Sequence, residues 1–313
     1  MEVTIMGQIR KLIKRTSFGA FLYLDRLGIH VLPKHYYSPV ADYAWLFKNQ
    51  HLWARRADMT DVDWNLQQQM AWLKSTCQPY LAEVQGLTDY NDAVEASFGP
   101  GYGPIESQVL HCFVRTFNPR RIVEVGSGIS TFCMARALER NANENRSVAA
   151  VFCIEPYPSP TLKNFSEVSL QKSLVQEVDL SYFDRLESGD MLFIDSSHAV
   201  KTGSDVPFLY LEVIPRLKPG IFIHIHDIYL PYIYPRDTLN HFWNWQETVV
   251  LLALLKGNAH LKTLCCLSAL HYDRREDISR ILPDYRPQVD VGEGLSKAEA
   301  EGHFPASIWL QTI

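Results

Sequence analysis

A chain of 313 residues has room for one large domain or two small ones. Its 47% hydrophobic and 21% charged residues are ordinary globular values and exclude a disordered, collagenous or coiled-coil chain. A net charge of -5, from 30 basic and 35 acidic residues, leaves no broad basic footprint for nucleic acid.

The longest aliphatic run, Val249 to Leu255, is far short of the roughly 18–20 residues that span a bilayer, so no transmembrane segment is expected. The basic residues from Arg10 to Arg15 are not followed by a compact apolar stretch and a small-residue cleavage site. The start of the chain therefore does not read as a signal peptide, and a cytoplasmic location is expected. Arg10, Lys11, Lys14, Arg15, Arg26 and Lys34 face only Glu2 and Asp25 in this region. That run suits a solvated helix face, or an amphipathic helix against a membrane or an acidic partner.

Residues 1–97 are rich in helix formers and aromatics, with Trp45, Trp53, Trp64 and Trp72 at roughly helical intervals. They predict a helical extension that supplies a lid, substrate contacts or a homodimer surface. The turn cluster from Phe98 to Pro104 separates it from residues 98–313, where short apolar runs alternate with helical segments. A helix is predicted over Ile105–Phe117 and a strand over Arg121–Val125. The glycine turn Gly126-Ser127-Gly128 then leads into a helix that Ser130 or Thr131 can cap. Further strands are predicted over Val148–Ile154, Ser173–Val178, Met191–Ile194 and Ile221–His226, with a helix over Asp205–Leu217. Strands apolar on both faces, alternating with helices, predict an α/β fold with a mostly parallel sheet covered on both sides. Six cysteines without a CxxC pair read as buried reduced thiols, and the neighbours Cys265 and Cys266 should face opposite sides of a strand.

In such sheets ligands bind beyond the carboxyl ends of the strands. Here those ends carry Glu124, Glu155, Asp179, Asp195 and the pair His226-Asp227. The segment Val123 to Thr131 holds two glycines between strand and helix, but Thr131 stands where a dinucleotide fingerprint has its third glycine. An acid inside the motif, Glu124, suits a ligand carrying ammonium and sulfonium groups, as S-adenosylmethionine does. Gly126, Ser127, Gly128, Ser130 and Thr131 are assigned to that ligand, as are Asp195 and Ser196 at the end of the fourth predicted strand. Glu155, 29 residues after Gly126, can hold both ribose hydroxyls, and Asp179 is placed to meet the adenine amino group.

The segments Ile154-Glu-Pro-Tyr-Pro158, Ile194-Asp-Ser-Ser-His198 through Ser204-Asp205, and His224-Ile-His-Asp-Ile through Pro235 carry a family resemblance. The chain resembles the class I S-adenosylmethionine-dependent methyltransferases over roughly residues 98 to 260 and the strand Ser307–Leu310. The resemblance implies a Rossmann-like, seven-stranded sheet whose final strand is antiparallel. It also implies S-adenosylmethionine as donor and a small-molecule, natural-product or glycan acceptor.

Methyl transfer to a hydroxyl needs alignment and removal of a proton. His198, three residues past Asp195, is the expected base, at a position where similar catechol-type enzymes place a lysine. Those enzymes hold magnesium through an acid after the fourth strand and an Asp-Asn pair after the fifth. Asp195, His226 and Asp227 stand there in this chain. Histidine in such a set favours manganese, iron or zinc over magnesium, or else a metal-free base pair of His226 and Asp227. His224, one strand repeat deeper, reads as a core histidine. Tyr36, Tyr37, Tyr232, Tyr234 and Arg236, together with His198, are the expected substrate contacts, and Trp243, Asn244 and Glu247 are secondary ones. O-methylation leads. N-methylation is its nearest variant, a non-haem oxygenase on His198, His226 and an aspartate is the alternative chemistry, and a non-catalytic cofactor binder is the third class.

Overall fold

A computed structural model of the chain describes residues 17–99, 101–243, 245–288, 294–296 and 300–313. The basic cluster from Arg10 to Arg15 and Asn244 lie outside them. Two compact units divide between Asn49 and Gln50. In the first, residues 17–25 and Tyr43–Lys48 are helical, and Tyr36 and Tyr37 are almost fully exposed.

The expected boundary at residue 97 therefore moves back by almost fifty positions. The reason is the apolar face of α1 (Leu66–Cys77), where Met70, Leu73 and Cys77 are buried in the core that covers one side of the sheet. Trp72 on this helix lies against Phe117 at 6.0 Å and Trp309 at 5.8 Å. Of the other tryptophans, Trp53 meets Tyr234 edge-on, whereas Trp45 belongs to the first unit and is 49% exposed.

The second unit is built on seven strands: β1 (Arg121–Val125), β2 (Ala150–Ile154), β3 (Ser169–Gln171), β4 (Met191–Ile194), β5 (Phe222–His226), β6 (Leu261–Cys266) and β7 (Ser307–Thr312). Their order is β3-β2-β1-β4-β5-β7-β6. The first five run parallel, and β7 is antiparallel to both of its neighbours, β5 and β6. This is the sheet that the family resemblance implies. Its chain reversal lies between β1 and β4, where adjacent crossovers leave a crevice.

Period-two alternation sorts the strands' side chains into two cores. Ile122, Cys153, Phe193, Cys265 and Trp309 face the helices α1, α2 (Pro104–Phe117), α3 (Ile129–Asn143) and α5 (Leu267–Ile281). Val123, Val125, Leu192, Ile223, Cys266 and Ile308 face the helical run 205–216 and α4 (Glu247–Leu255). Cys265 and Cys266 thus do occupy opposite faces, and all six cysteines are free and buried.

The third strand differs from expectation. Parallel pairing with β2 is made by Ser169–Gln171, and Glu155 N donates to Gln171 O at 3.0 Å as its last rung. Residues 173–178 instead turn across the sheet's end, because the ladder has already closed and Val175–Glu177 forms a single tight helical turn. The predicted helix from Asp205 is present but changes winding at Leu209 and Ile214, next to Pro215.

Trp309 is fully buried, with Phe113 4.3 Å and His224 4.4 Å from its ring centre. Trp309→Ala should lower the unfolding free energy by about 3–5 kcal/mol, read from the midpoint shift of a urea melt at unchanged slope.

Candidate functional site

The carboxyl ends of β1 and β4 meet at a contact only glycine permits. Gly126 has φ +85°, and a Cβ there would lie 1.9 Å from the Asp195 carbonyl oxygen. The closeness is fixed by ladder bonds on both sides, from Gly126 N to Ile154 O at 3.0 Å and from Asp195 N to Val125 O at 2.8 Å. Beyond this junction opens a cavity of about 540 Å³ lined by Gly126, Glu155, Tyr157, Val175, Asp195 and Ser196 among others. Ser127 Oγ donates to Glu155 Oε2 at 3.4 Å, and burial raises the Glu155 carboxyl against the lowering effect of the Tyr157 amide.

Among the residues assigned to the cofactor, Glu124, Ser130, Thr131 and Asp179 are not in this cavity's wall. Glu124 is fully buried beneath the glycine turn, where Ser130 Oγ, Thr131 Oγ1 and Cys153 Sγ donate to it at 2.7, 2.8 and 2.9 Å. Strand alternation accounts for this: Glu124 shares the face of Ile122, so it points into the α3 side. Ser130 and Thr131 are spent on that carboxylate, and Thr131 Oγ1 also accepts from Gly128 N at 3.0 Å. Asp179 is exposed and caps its own short turn through Ser181 N at 2.8 Å. With the third strand ending at Gln171, the residues that reach the cavity from this side are Leu174, Val175 and Gln176.

Asp195, His198, His226 and Asp227 each offer one ligand atom, all within 4.8 Å of one another. His198 Nε2 lies 3.4 Å from both Asp195 Oδ1 and Asp227 Oδ2, and His226 Nδ1 lies 3.3 Å from Asp195 Oδ1 and 3.6 Å from Asp227 Oδ2. His198 and Asp227 both have positive φ, 57° and 53°, unusual for residues with a side chain. Such strain persists where surrounding contacts over-determine it. Here the His198 carbonyl accepts from Gln246 N and Glu247 N at the start of α4, and Glu247 Oε2 holds His198 Nδ1 at 2.8 Å.

Burial alone would lower the His198 imidazole, but hydrogen bonds to Asp195 and Glu247 and the charge of Asp227 raise it to about 10. His226 is likewise raised, against burial, by Asp227 and Asp195. Burial tends to raise Asp195, yet the charge of His226 and the bond from His198 hold it well below the usual carboxylate range. With no cation present these neighbours favour the protonated imidazole. The residues fit a divalent cation instead. His226 Nδ1 is buried without a hydrogen-bond partner among the described residues, and Glu247 orients His198 as a carboxylate behind a metal-bound histidine does. Two imidazoles and two carboxylates suit manganese, iron or zinc better than magnesium.

Glu247 is the residue that sequence reading underweighted, and Glu106 the one it missed. Glu106 is buried in the first turn of α2, accepts from Ala306 N at 2.8 Å, and lies 3.8 Å from His226 Nε2. Its place beside Pro104 and Gly103 at the helix start was the available signal. His224 is a core residue, with Nε2 3.2 Å from the Tyr102 hydroxyl.

On the other side of the cluster, Asp227 lines a second cavity of about 370 Å³ with Tyr229, Arg236, Asn240 and Phe304. Tyr232 and Tyr234 are not in its wall: Tyr232 packs on Tyr272 at 4.8 Å, and Tyr234 lines a separate hollow with Trp53 and Arg56. Tyr36 and Tyr37 belong to the first unit.

Burial raises Glu124 from its ordinary 4.5 to about 7, opposed by the bonds from Cys153, Ser130 and Thr131. The folded protein therefore keeps a proton that the unfolded carboxyl releases, so this group's contribution is complete below about pH 4.5 and is lost as pH rises to about 7. The stability advantage of wild type over Glu124→Gln should fall by roughly 3 kcal/mol across that window, measured by urea melts at successive pH values.

Comparison with known proteins places residues 123–228 in a match to the family model described as a methyltransferase domain. An uncharacterized protein of Archaeoglobus fulgidus is 27% identical over 169 residues, covering 50% of this chain and 73% of that one. Among solved structures, the O-methyltransferase TomG of Streptomyces achromogenes is 15% identical, with 78% of this chain and 98% of that chain covered at a TM-score of 0.43. The Podospora anserina methyltransferase PaMTH1 is 13% identical, covering 73% and 88% at a TM-score of 0.41.

Proposed function

We propose, from the premise that residues 123–228 are a methyltransferase domain, that the protein transfers a methyl group from S-adenosylmethionine to a hydroxyl of a small molecule or glycan. The observation that carries this reading is the position of the Asp195–His198–His226–Asp227 cluster. Asp195 lines the cavity at the glycine turn, Asp227 lines the second cavity, and the two histidines lie between. One cavity suits a donor with ribose hydroxyls and positive charge, because Glu155 and Asp195 line it. The other receives the acceptor.

Bound S-adenosylmethionine supplies a sulfonium methyl whose carbon–sulfur bond breaks as the acceptor oxygen bonds to the methyl carbon. A cation held by Asp195, His198, His226 and Asp227 supplies Lewis acidity toward that oxygen. The chain's own residues do the rest. Glu155 holds the ribose, Glu247 fixes His198, Tyr229 donates to Asp227 Oδ1 at 3.0 Å, and the Asp227 carboxylate takes the acceptor's proton. The two-histidine, one-carboxylate donor set within the cluster also supports an iron-dependent oxygenase as a second reading, which the donor's absence from binding would favour.

Calorimetric titration of S-adenosylhomocysteine is the test. Micromolar binding is expected, weakened at least about tenfold in Glu155→Ala, since a carboxylate accepting two hydroxyl bonds contributes roughly 1.5–3 kcal/mol. No binding with or without divalent metal overturns the methyltransferase reading. Asp227→Ala should bind that ligand within about twofold of wild type, and metal analysis of the purified protein should show a lower cation content than wild type, because one of the four ligand atoms is removed.

A further inference from the structure

The wall of the second cavity is polar where an aromatic acceptor would need it flat and apolar. Phe304 is its largest apolar side chain, and that ring already has two partners. The Arg236 guanidinium lies 4.3 Å from the ring centre, and Tyr229 stacks near parallel at 6.1 Å. Arg236 itself is buried and held in register by Nη1 donating to Gln288 Oε1 at 2.9 Å. The Gln288 amide is fixed in turn, donating to Ala300 O at 3.1 Å. A planar cation is thus immobilised in the wall, with Asp227, Asp237 and Asn240 also in the wall. Asp227 and Asp237 against Arg236 leave no net positive charge to hold an anionic acceptor.

Planar guanidinium, carboxylate and amide groups together offer paired donors and acceptors. Adjacent hydroxyls of a sugar ring, each able to donate and accept, match such pairs, and a phenol with one or two hydroxyls on an apolar disc does not. The volume of about 370 Å³ falls in the usual range of about 300–1,000 Å³ for ligand cavities. We propose that the acceptor is a sugar-ring hydroxyl, taken into the cavity between Asp227 and Asn240. This inference rests on the methyltransferase reading above and narrows its acceptor.

The test combines three measurements on the full chain. S-adenosylhomocysteine titration checks the donor site. Radiolabelled methyl transfer from S-adenosylmethionine is compared for 4-nitrophenyl glycosides, short oligosaccharides, and the phenols caffeate and 3,4-dihydroxybenzoate. Saturation-transfer NMR reads glycoside binding without turnover. The expected result is normal donor binding with methyl transfer to a glycoside or an oligosaccharide in preference to the phenols, the two sugar arms showing whether the ring is free or part of a glycan. Asn240→Leu, an exposed position, should then weaken sugar binding by about threefold to tenfold and leave S-adenosylhomocysteine affinity unchanged. Normal donor binding with phenol methylation, or with no saturation transfer to any sugar, overturns the sugar proposal alone. Failure of donor binding overturns the methyltransferase reading and takes the sugar proposal with it.

Discussion

Two carboxylates and two imidazoles stand within 4.8 Å of one another where β4 and β5 end, the imidazoles buried and the carboxylates half-buried at the edges of two cavities. Charges of one sign cannot be packed so closely in low dielectric without compensation. Protons on the imidazoles supply it in the absence of a cation, and a divalent ion supplies it in their place. Much of the surrounding architecture serves this balance. Glu247 faces His198 from α4, Glu106 faces His226 from α2, and Tyr229 ties down Asp227. The left-handed backbone of His198 is held from the same helix start that supplies Glu247, so its strain and the charge pattern are parts of one arrangement.

The sheet's topology explains why the cluster can touch two cavities at once. β4 and β5 are central; His226, the last residue of β5, lies 3.8 Å from Glu106 of α2, whereas Ile194, the last of β4, packs on the α4 side, from which Glu247 reaches His198. Asp195 sits where β4 meets the glycine turn of β1 and so lines the cavity at that turn. Asp227 comes one residue after β5, against the antiparallel β7 and the residues leading into it, and so lines the second cavity. Inserting β7 beside β5 brings Phe304 and Ala306 into that wall, and Glu106 secures the approach by accepting from Ala306 N.

The residues at strand ends were legible because polar side chains after apolar runs have few reasons to be there. That logic singled out Glu155, Asp195, His198, His226, Asp227 and the glycine turn, which the fold brings to neighbouring strand ends. It misjudged Glu124 because it read the acid by its place in the motif and not by strand parity, which puts it on the face of Ile122. Asp179 failed for a different reason: a one-turn helix with Val175 buried mimics a short strand in its apolar spacing, so the third strand was set too late in the chain. Glu247 and Glu106 could not be weighted from sequence, since their roles arise only when helices distant in the chain return to the same strand ends. The division at Asn49 was hidden similarly, because an aromatic-rich helix looks alike whether it packs on the sheet, as α1 does, or stands in another unit.

The placement of β7 also bears on how the chain assembles. Strands β5 and β6 emerge from the ribosome before the strand that must lie between them. Without residues 307–312 the native pairing would leave a parallel five-stranded piece and a separate strand, with the β5 edge unpaired. The second cavity would then lack part of its wall, since Phe304 and Ala306 precede β7 directly. The wall of the second cavity is thus completed only with the segment that leads into β7, and the same segment covers the edge of β5.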